Sequence, residues 1–240
     1  MFPIIKPDWP APKNVHGFTT TRIGGVSKSP YDTFNLGDHV KDNPGDVKKN
    51  REILRAKIPS EPFWLAQNHT TIALEVAPFE VPPHADASYT REPKKVCLVM
   101  TADCLPILVC DKKGTVVSAI HAGWRGLAMG ILPITLEALN IPVEETLVWF
   151  GPAIGPTAFE LRDDVRHAFI SNHMANESHF KAMDECYLGD MYAIARWQCA
   201  KRGIENVYGG GLCTVSDPER FFSFRRDGET GRLATLIWLE

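Results

Sequence analysis

The sequence has no Cys-x-x-Cys pair, no run of like charge and no apolar stretch approaching the length that spans a bilayer. The first absence argues against a disulfide scaffold, since the six cysteines (Cys97, Cys104, Cys110, Cys186, Cys199 and Cys213) stand apart in a 240-residue chain. They read as reduced thiols, most of them small core residues. The formal net charge is only −3, and without a concentrated basic face no nucleic-acid partner is expected. No membrane partner is expected either. The opening residues, Met1 to Pro10, lack the basic start and long apolar core of a secretion signal, so the cytosol is the expected location. Internal repeats, low-complexity tracts and polar linkers are also missing, so residues 1–240 read as one domain.

What is there is ordinary for a buried core: 44% of residues are hydrophobic and 23% charged. Strands are expected from Gly17 to Arg22, ahead of the Gly24-Gly25 turn, and at Phe63–Ala66, Thr71–Ala77, Ile107–Cys110 and Thr115–Ile120. Val96–Thr101, Thr146–Phe150 and Leu233–Leu239 are continuous apolar runs of the kind found in buried strands. Helices are expected over Asp46–Lys57, Asp163–Asn172 and Leu188–Arg202. After Gly123, Leu127, Ile131, Ile134 and Ala138 recur at helical spacing, with Pro133 marking a kink or a late start. Strands and helices mix without strict βαβ alternation, which predicts an α+β fold with a mixed sheet flanked by helices.

Three strand ends carry chemically distinctive residues: His69, Asp103-Cys104 and His121. Two imidazoles and a thiolate form a catalytic zinc set with one open position, and the same donors suit copper. Spacing alone leaves the alternative open, because a strand-end histidine is often a hydrogen-bonded structural residue. Asp103 stands beside the cysteine and is a candidate for moving protons. The run His121-Ala-Gly-Trp-Arg-Gly126 joins a strand to a helix start, where free N–H groups and Arg125 would favour an anion. Arg22, before Gly24-Gly25, and Arg225-Arg226, before Asp227-Gly228, invite the same reading or that of solvated surface charges.

At these residues the chain strongly resembles the laccase-domain family, once called multicopper polyphenol oxidases and now described as purine nucleoside phosphorylases. The resemblance runs nearly end to end, through HGFTTTRIGGVS, FNLGDHV, WLAQNHT, TADCLPILVCD, HAGWRGL, GPAIGPTAFEL and RFFSFRRDGETGR. It implies that His69, Cys104 and His121 are the metal ligands and that the metal is zinc, with copper the alternative. It also implies phosphorolysis of purine nucleosides, including methylthioadenosine, and deamination of adenosine. Purine nucleosides and phosphate are then the partners, held by residues such as Arg22, Arg125 and Arg225, and the protein is expected to be a monomer. One departure is visible: Asn68-His69-Thr70 stands where the family commonly has Val-His-Gly.

A copper cluster of the true multicopper oxidase kind is not expected, because none of the eight histidines has a partner two residues away. The His-x-Glu and Pro-Cys-x-x-Cys signature of cytidine-type deaminases is absent as well. The competing function is a metal-free cysteine hydrolase or amidase, with Cys104 as nucleophile and His121 as base. Links of the family to deamidating toxins and to cell-wall precursor editing keep that alternative open.

Overall fold

Strands that are apolar along their whole length need cover on both faces, and two stacked sheets provide it. The computed structural model describes residues 2–240. The chain runs through β1 (Ile4–Ile5), β2 (Val15–Thr20), α1 (Pro44–Arg55), β3 (Pro62–Phe63), β4 (Ala73–Glu75) and β5 (Ala87–Thr90). Its middle holds β6 (Val96–Thr101), β7 (Leu105–Asp111), β8 (Val117–Ala122), α2 (Trp124–Ala128), α3 (Ile131–Leu139) and β9 (Thr146–Phe150). Then follow β10 (Glu160–Leu161), α4 (Asp163–Ser171), β11 (Phe180–Ala182), β12 (Tyr187–Gly189) and α5 (Met191–Lys201). The last elements are β13 (Val207–Gly209), α6 (Phe224–Asp227) and β14 (Leu233–Leu239).

One sheet has the order β1-β2-β14-β6-β3 and the other β13-β9-β7-β8-β5-β4; β10, β12 and β11 make a small third. Both large sheets are mixed, with antiparallel centres and a parallel strand at an edge. The architecture is α+β, as the sequence predicts.

Period-two alternation sets the layers. Cys97 and Val99 of β6 pack between the sheets against Leu108 and Cys110 of β7 and Val117 and Ala119 of β8. Their neighbours Val96, Leu98 and Met100 turn the other way, onto Phe34, Leu54 and Ile58 beside α1. On the far side Leu105, Ile107 and Val109 meet Leu127, Ile131 and Leu136 from α2 and α3 and Ile194 and Cys199 from α5. Burying each such aliphatic side chain is worth about 1.5–3 kcal/mol, so the double coverage of β6 and β7 anchors the fold.

β6, β9 and β14 have the bounds that their apolar runs predict. Elsewhere the structure corrects the reading. The helix after Gly123 is two helices, broken at Gly130, whose φ of 90° is a left-handed conformation suited to glycine. The break resets the helical phase. Leu132, Thr135, Leu136 and Leu139 face inward, while Ile134 and Ala138 are exposed. Pro133 falls in the first turn of α3, where its missing N–H removes no helical bond. The Phe63–Ala66 strand shrinks to Pro62–Phe63, with Ala66 kept only in a bridge to His84. The third central strand is Val117–Ala122, because Thr115 and Val116 give their N–H groups to the Asp111 carboxylate. Leu188 belongs to β12, and α5 starts later, capped by Asp190, which accepts from the Ala193 N–H at 2.9 Å.

Candidate metal centre

His121 lies near the end of β8 between β5 and β7, so the sheet fixes its backbone. Asp86, immediately before β5, fixes the rest. Its carbonyl accepts the His121 N–H at 2.7 Å, and its carboxylate lies 2.7 Å from the ring Nδ1. With Nδ1–H donating to Asp86, Nε2 faces outward, and on losing its proton it presents a lone pair there.

The same carboxylate folds the loop that carries His69. It accepts the backbone N–H groups of Asn68 (3.3 Å), His69 (3.0 Å) and Thr70 (2.6 Å), and the Thr70 hydroxyl at 2.7 Å. His69 takes a left-handed φ of 59°, a strained conformation for a non-glycine residue that this cluster of bonds holds in place. Gln67 adds a second anchor: its side-chain amide donates to the Met100 carbonyl at 2.8 Å and accepts the Met100 N–H at 2.7 Å. Gly123 makes room for the result. A Cβ there would collide with the His69 ring and sit 3.1 Å from the Cys104 Sγ.

Cys104 sits where the chain crosses from β6 in one sheet to β7 in the other. Asp103 shapes that crossing, with φ of 92°. Its carboxylate accepts the Thr214 hydroxyl and the Arg225 N–H, each at 2.6 Å, and its carbonyl accepts the Ile154 N–H at 2.9 Å.

These supports bring His69, Cys104 and His121 together, with one donor atom from each within 4.8 Å of the others. Cys104 Sγ is 3.6 Å from His69 Nε2. Zinc bonds of about 2.3 Å to sulfur and 2.0–2.1 Å to nitrogen, at a tetrahedral angle, place the two donors about 3.6 Å apart. The donor set and spacing therefore fit a metal ion. Burial works against the thiolate, but the His121 charge and hydrogen bonds from His121 and His69 outweigh it and bring the Cys104 thiol down to about 6. Burial equally opposes the His121 charge, yet Cys104 and Asp86 raise it to about 9. Asp86 itself is held at about 2: burial opposes its charge, and the bonds from His121 and Thr70 prevail.

The three residues line a cavity of about 510 Å³ together with Gln67, Met100, Asp103, Trp124, Phe159, Phe224 and Arg232. A larger groove of about 710 Å³ runs along α1, but no cysteine or histidine lines it.

The sequence-predicted arginines divide. Arg125 lines the cavity, exposed, with its guanidinium stacked 4.4 Å from the Trp124 ring. Arg225 also lines it, but its guanidinium donates to the carbonyls of Ala158 and Glu160. Arg22 is not brought to the cavity. Its donors go to Asp32 and to the Pro218 carbonyl, and it stacks on Phe222. Arg226 is similarly engaged by the carbonyls of Thr214, Val215 and Phe221 and by Asp227. The helix after His121 is only five residues long, which leaves little aligned dipole for an anion. Asp86, Gln67 and Arg232 were not among the residues the sequence singled out. A lone acid between Ala85 and Ala87 at the start of a strand was the available signal for Asp86.

Residues 15–240 match the family model described as multi-copper polyphenol oxidoreductase laccase. The chain belongs to that laccase-like family. It is 48% identical over 238 residues to a Pseudomonas aeruginosa protein named purine nucleoside phosphorylase, covering 98% of each chain. It is 47% identical to purine nucleoside phosphorylase YfiH of Escherichia coli, covering 100% of both. Among solved structures it superposes on Neisseria meningitidis NMB0706 with a TM-score of 0.95 at 46% identity, covering 99% of each chain. YlmD of Geobacillus stearothermophilus gives a TM-score of 0.88 at 28% identity, covering 99% of this chain and 100% of that one.

Proposed function

We propose that the protein is a purine nucleoside phosphorylase whose centre holds zinc through His69, Cys104 and His121, with copper the alternative metal. Phosphorolysis of methylthioadenosine and deamination of adenosine belong to the same proposal. The observation that carries it is the convergence of the three donors in a cavity large enough for a nucleoside and walled by Trp124, Phe159 and Phe224. The names of the full-length relatives support it.

In phosphorolysis a phosphate oxygen bonds to the ribose C1′ as the bond to the purine breaks, and positive charge develops on the sugar. Aromatic walls hold the base by stacking. Asp103 is the carboxylate among the lining residues. Each of its oxygens accepts one hydrogen bond already and keeps a further lone pair for a proton on the substrate. Arg125, exposed at the cavity edge, adds positive charge that draws phosphate toward the cavity. When bound, zinc supplies Lewis acidity at the centre.

The test is metal content on purified protein, with adenosine and inosine turnover followed in phosphate and phosphate-free buffer, before and after chelation. Phosphate-dependent release of free purine, lost with the metal and restored by zinc, is expected. Turnover indifferent to both phosphate and metal would sink the proposal. The second reading, a cysteine hydrolase with Cys104 as nucleophile and His121 as base, is favoured by one observation, the 3.6 Å approach of Cys104 Sγ to His69 Nε2, which makes His69 a second candidate base. A covalent substrate adduct trapped on Cys104 in metal-free protein would select it.

A further inference from the structure

Arg232 precedes β14, and its main chain is fixed on both sides. Its N–H donates to the Asn35 side chain at 2.9 Å, and its carbonyl accepts the Leu36 N–H at 3.2 Å. The aliphatic stem passes over Gly37, where a Cβ would come 2.7 Å from Arg232 Cγ. The stem therefore needs a glycine at that crossing.

The guanidinium is held at one corner only. Nη1 donates to the carbonyls of Thr230 (2.9 Å) and Gly231 (3.0 Å). Among the described residues no carboxylate pairs with Arg232, and neither Nε nor Nη2 has a hydrogen-bond partner within the chain. The side chain is half-buried and lines the cavity of Cys104 and the two histidines. Burial pushes its pKa down, and the negative charges of Cys104 and Asp103 only partly offset this. Removing a cation from water without a counter-ion is costly, and such an arrangement is stable when an anion completes it.

Nε and Nη2 form one edge of the guanidinium, two parallel N–H donors that match two oxygens of a tetrahedral oxyanion. The other cations of this cavity are differently placed. Arg225 has its donors on carbonyls, Arg125 is on the exposed rim, and His39 is driven toward its neutral form by burial and by Arg232 itself.

We infer that Arg232 receives the phosphate group of the substrate, presenting its Nε/Nη2 edge to two phosphate oxygens inside the metal cavity. The inference rests on the phosphorolysis reading for the identity of that group. Inorganic phosphate as co-substrate and the phosphate of a nucleoside monophosphate share this chemistry.

The test is calorimetric titration of zinc-loaded protein with inorganic phosphate and, separately, with adenosine 5′-monophosphate. Wild type, Arg232→Gln and Arg232→Lys are compared at equal metal content. Affinity for the phosphate group is expected to fall roughly tenfold or more in the Gln variant and to recover partly in the Lys variant. A loss for free phosphate identifies the co-substrate, and a loss confined to the monophosphate identifies a nucleotide substrate. Unchanged affinity for both, or no binding of either by wild type, overturns the inference. Should the Gln variant fail to fold, arginine-selective modification of wild type decides: phosphate must protect Arg232, and absence of protection overturns the assignment. Phosphate held by Arg232 in a protein that turns over no nucleoside would leave this inference intact and remove the phosphorolysis reading. Phosphorolysis with an unchanged KM for phosphate in the Lys and Gln variants would do the reverse.

Discussion

Two buried aspartates hold the two sides of the cavity, and they do so differently. Asp86 ties β8 to the 68–70 loop and touches both histidines, His121 through its ring and His69 through its backbone. Asp103 ties the β6–β7 crossing to Thr214 and Arg225 and bonds to neither histidine. One carboxylate therefore orients two of the three clustered donors, while the other assembles a wall of the cavity. Two carboxylates of similar chemistry serve two tasks because their partners differ, and that separation can be broken experimentally.

The largest effect is expected from Asp86→Ala. It leaves three backbone N–H groups and a buried imidazole without their acceptor, so stability should drop by about 3 kcal/mol or more. Metal affinity should fall about 10–100-fold. Denaturant titration and metal competition measure both, and Asp103→Ala is expected to keep the metal within a few-fold. Equal metal loss in the two variants would erase the distinction.

Acid provides the next contrast. The folded-state pKa of Asp86 is lowered to about 2 from 3.8, so its contribution of about 2 kcal/mol is present above the unfolded value and is lost as pH falls through the folded one. Denaturation midpoints followed from about pH 5 downward should show that loss in wild type and a shallower slope in Asp86→Asn. Parallel slopes would show that Asp86 is not the titrating group.

Thr214→Val removes one hydrogen-bond donor to the Asp103 carboxylate and should cost about 1 kcal/mol, leave metal content unchanged and raise KM for the nucleoside. Thr70→Val should have the smallest effect, roughly 0.5–1 kcal/mol, because three backbone donors still hold Asp86. A large loss of metal in Thr70→Val would mean that the hydroxyl bond to Asp86 is essential to the centre.

Legibility in the sequence followed the same division. β6, β9 and β14 were readable because both faces of each strand are covered, which leaves uninterrupted apolar runs. His69, Cys104 and His121 stand out as reactive types near strand ends, within segments that resemble those of the family. Asp86 was not readable, because its role depends on β5, a short strand whose Ser88 and Thr90 interrupt the apolar signal. Arg232 was hidden for another reason: an arginine's partners, and the lack of them, exist only in three dimensions. Ile134 and Ala138 misled because periodicity carries across a sequence without registering the change of phase at Gly130.

The crossing at Cys104 has a mechanical consequence. Cys104 lies on the passage between the two sheets, His121 belongs to one of them, and His69 follows the edge strand of the other while Asp86 hooks its loop to the first. The three donors thus straddle a joint. Sliding of one sheet over the other would pull the donor atoms apart, so an ion gripped by all three would lock the joint like a rivet.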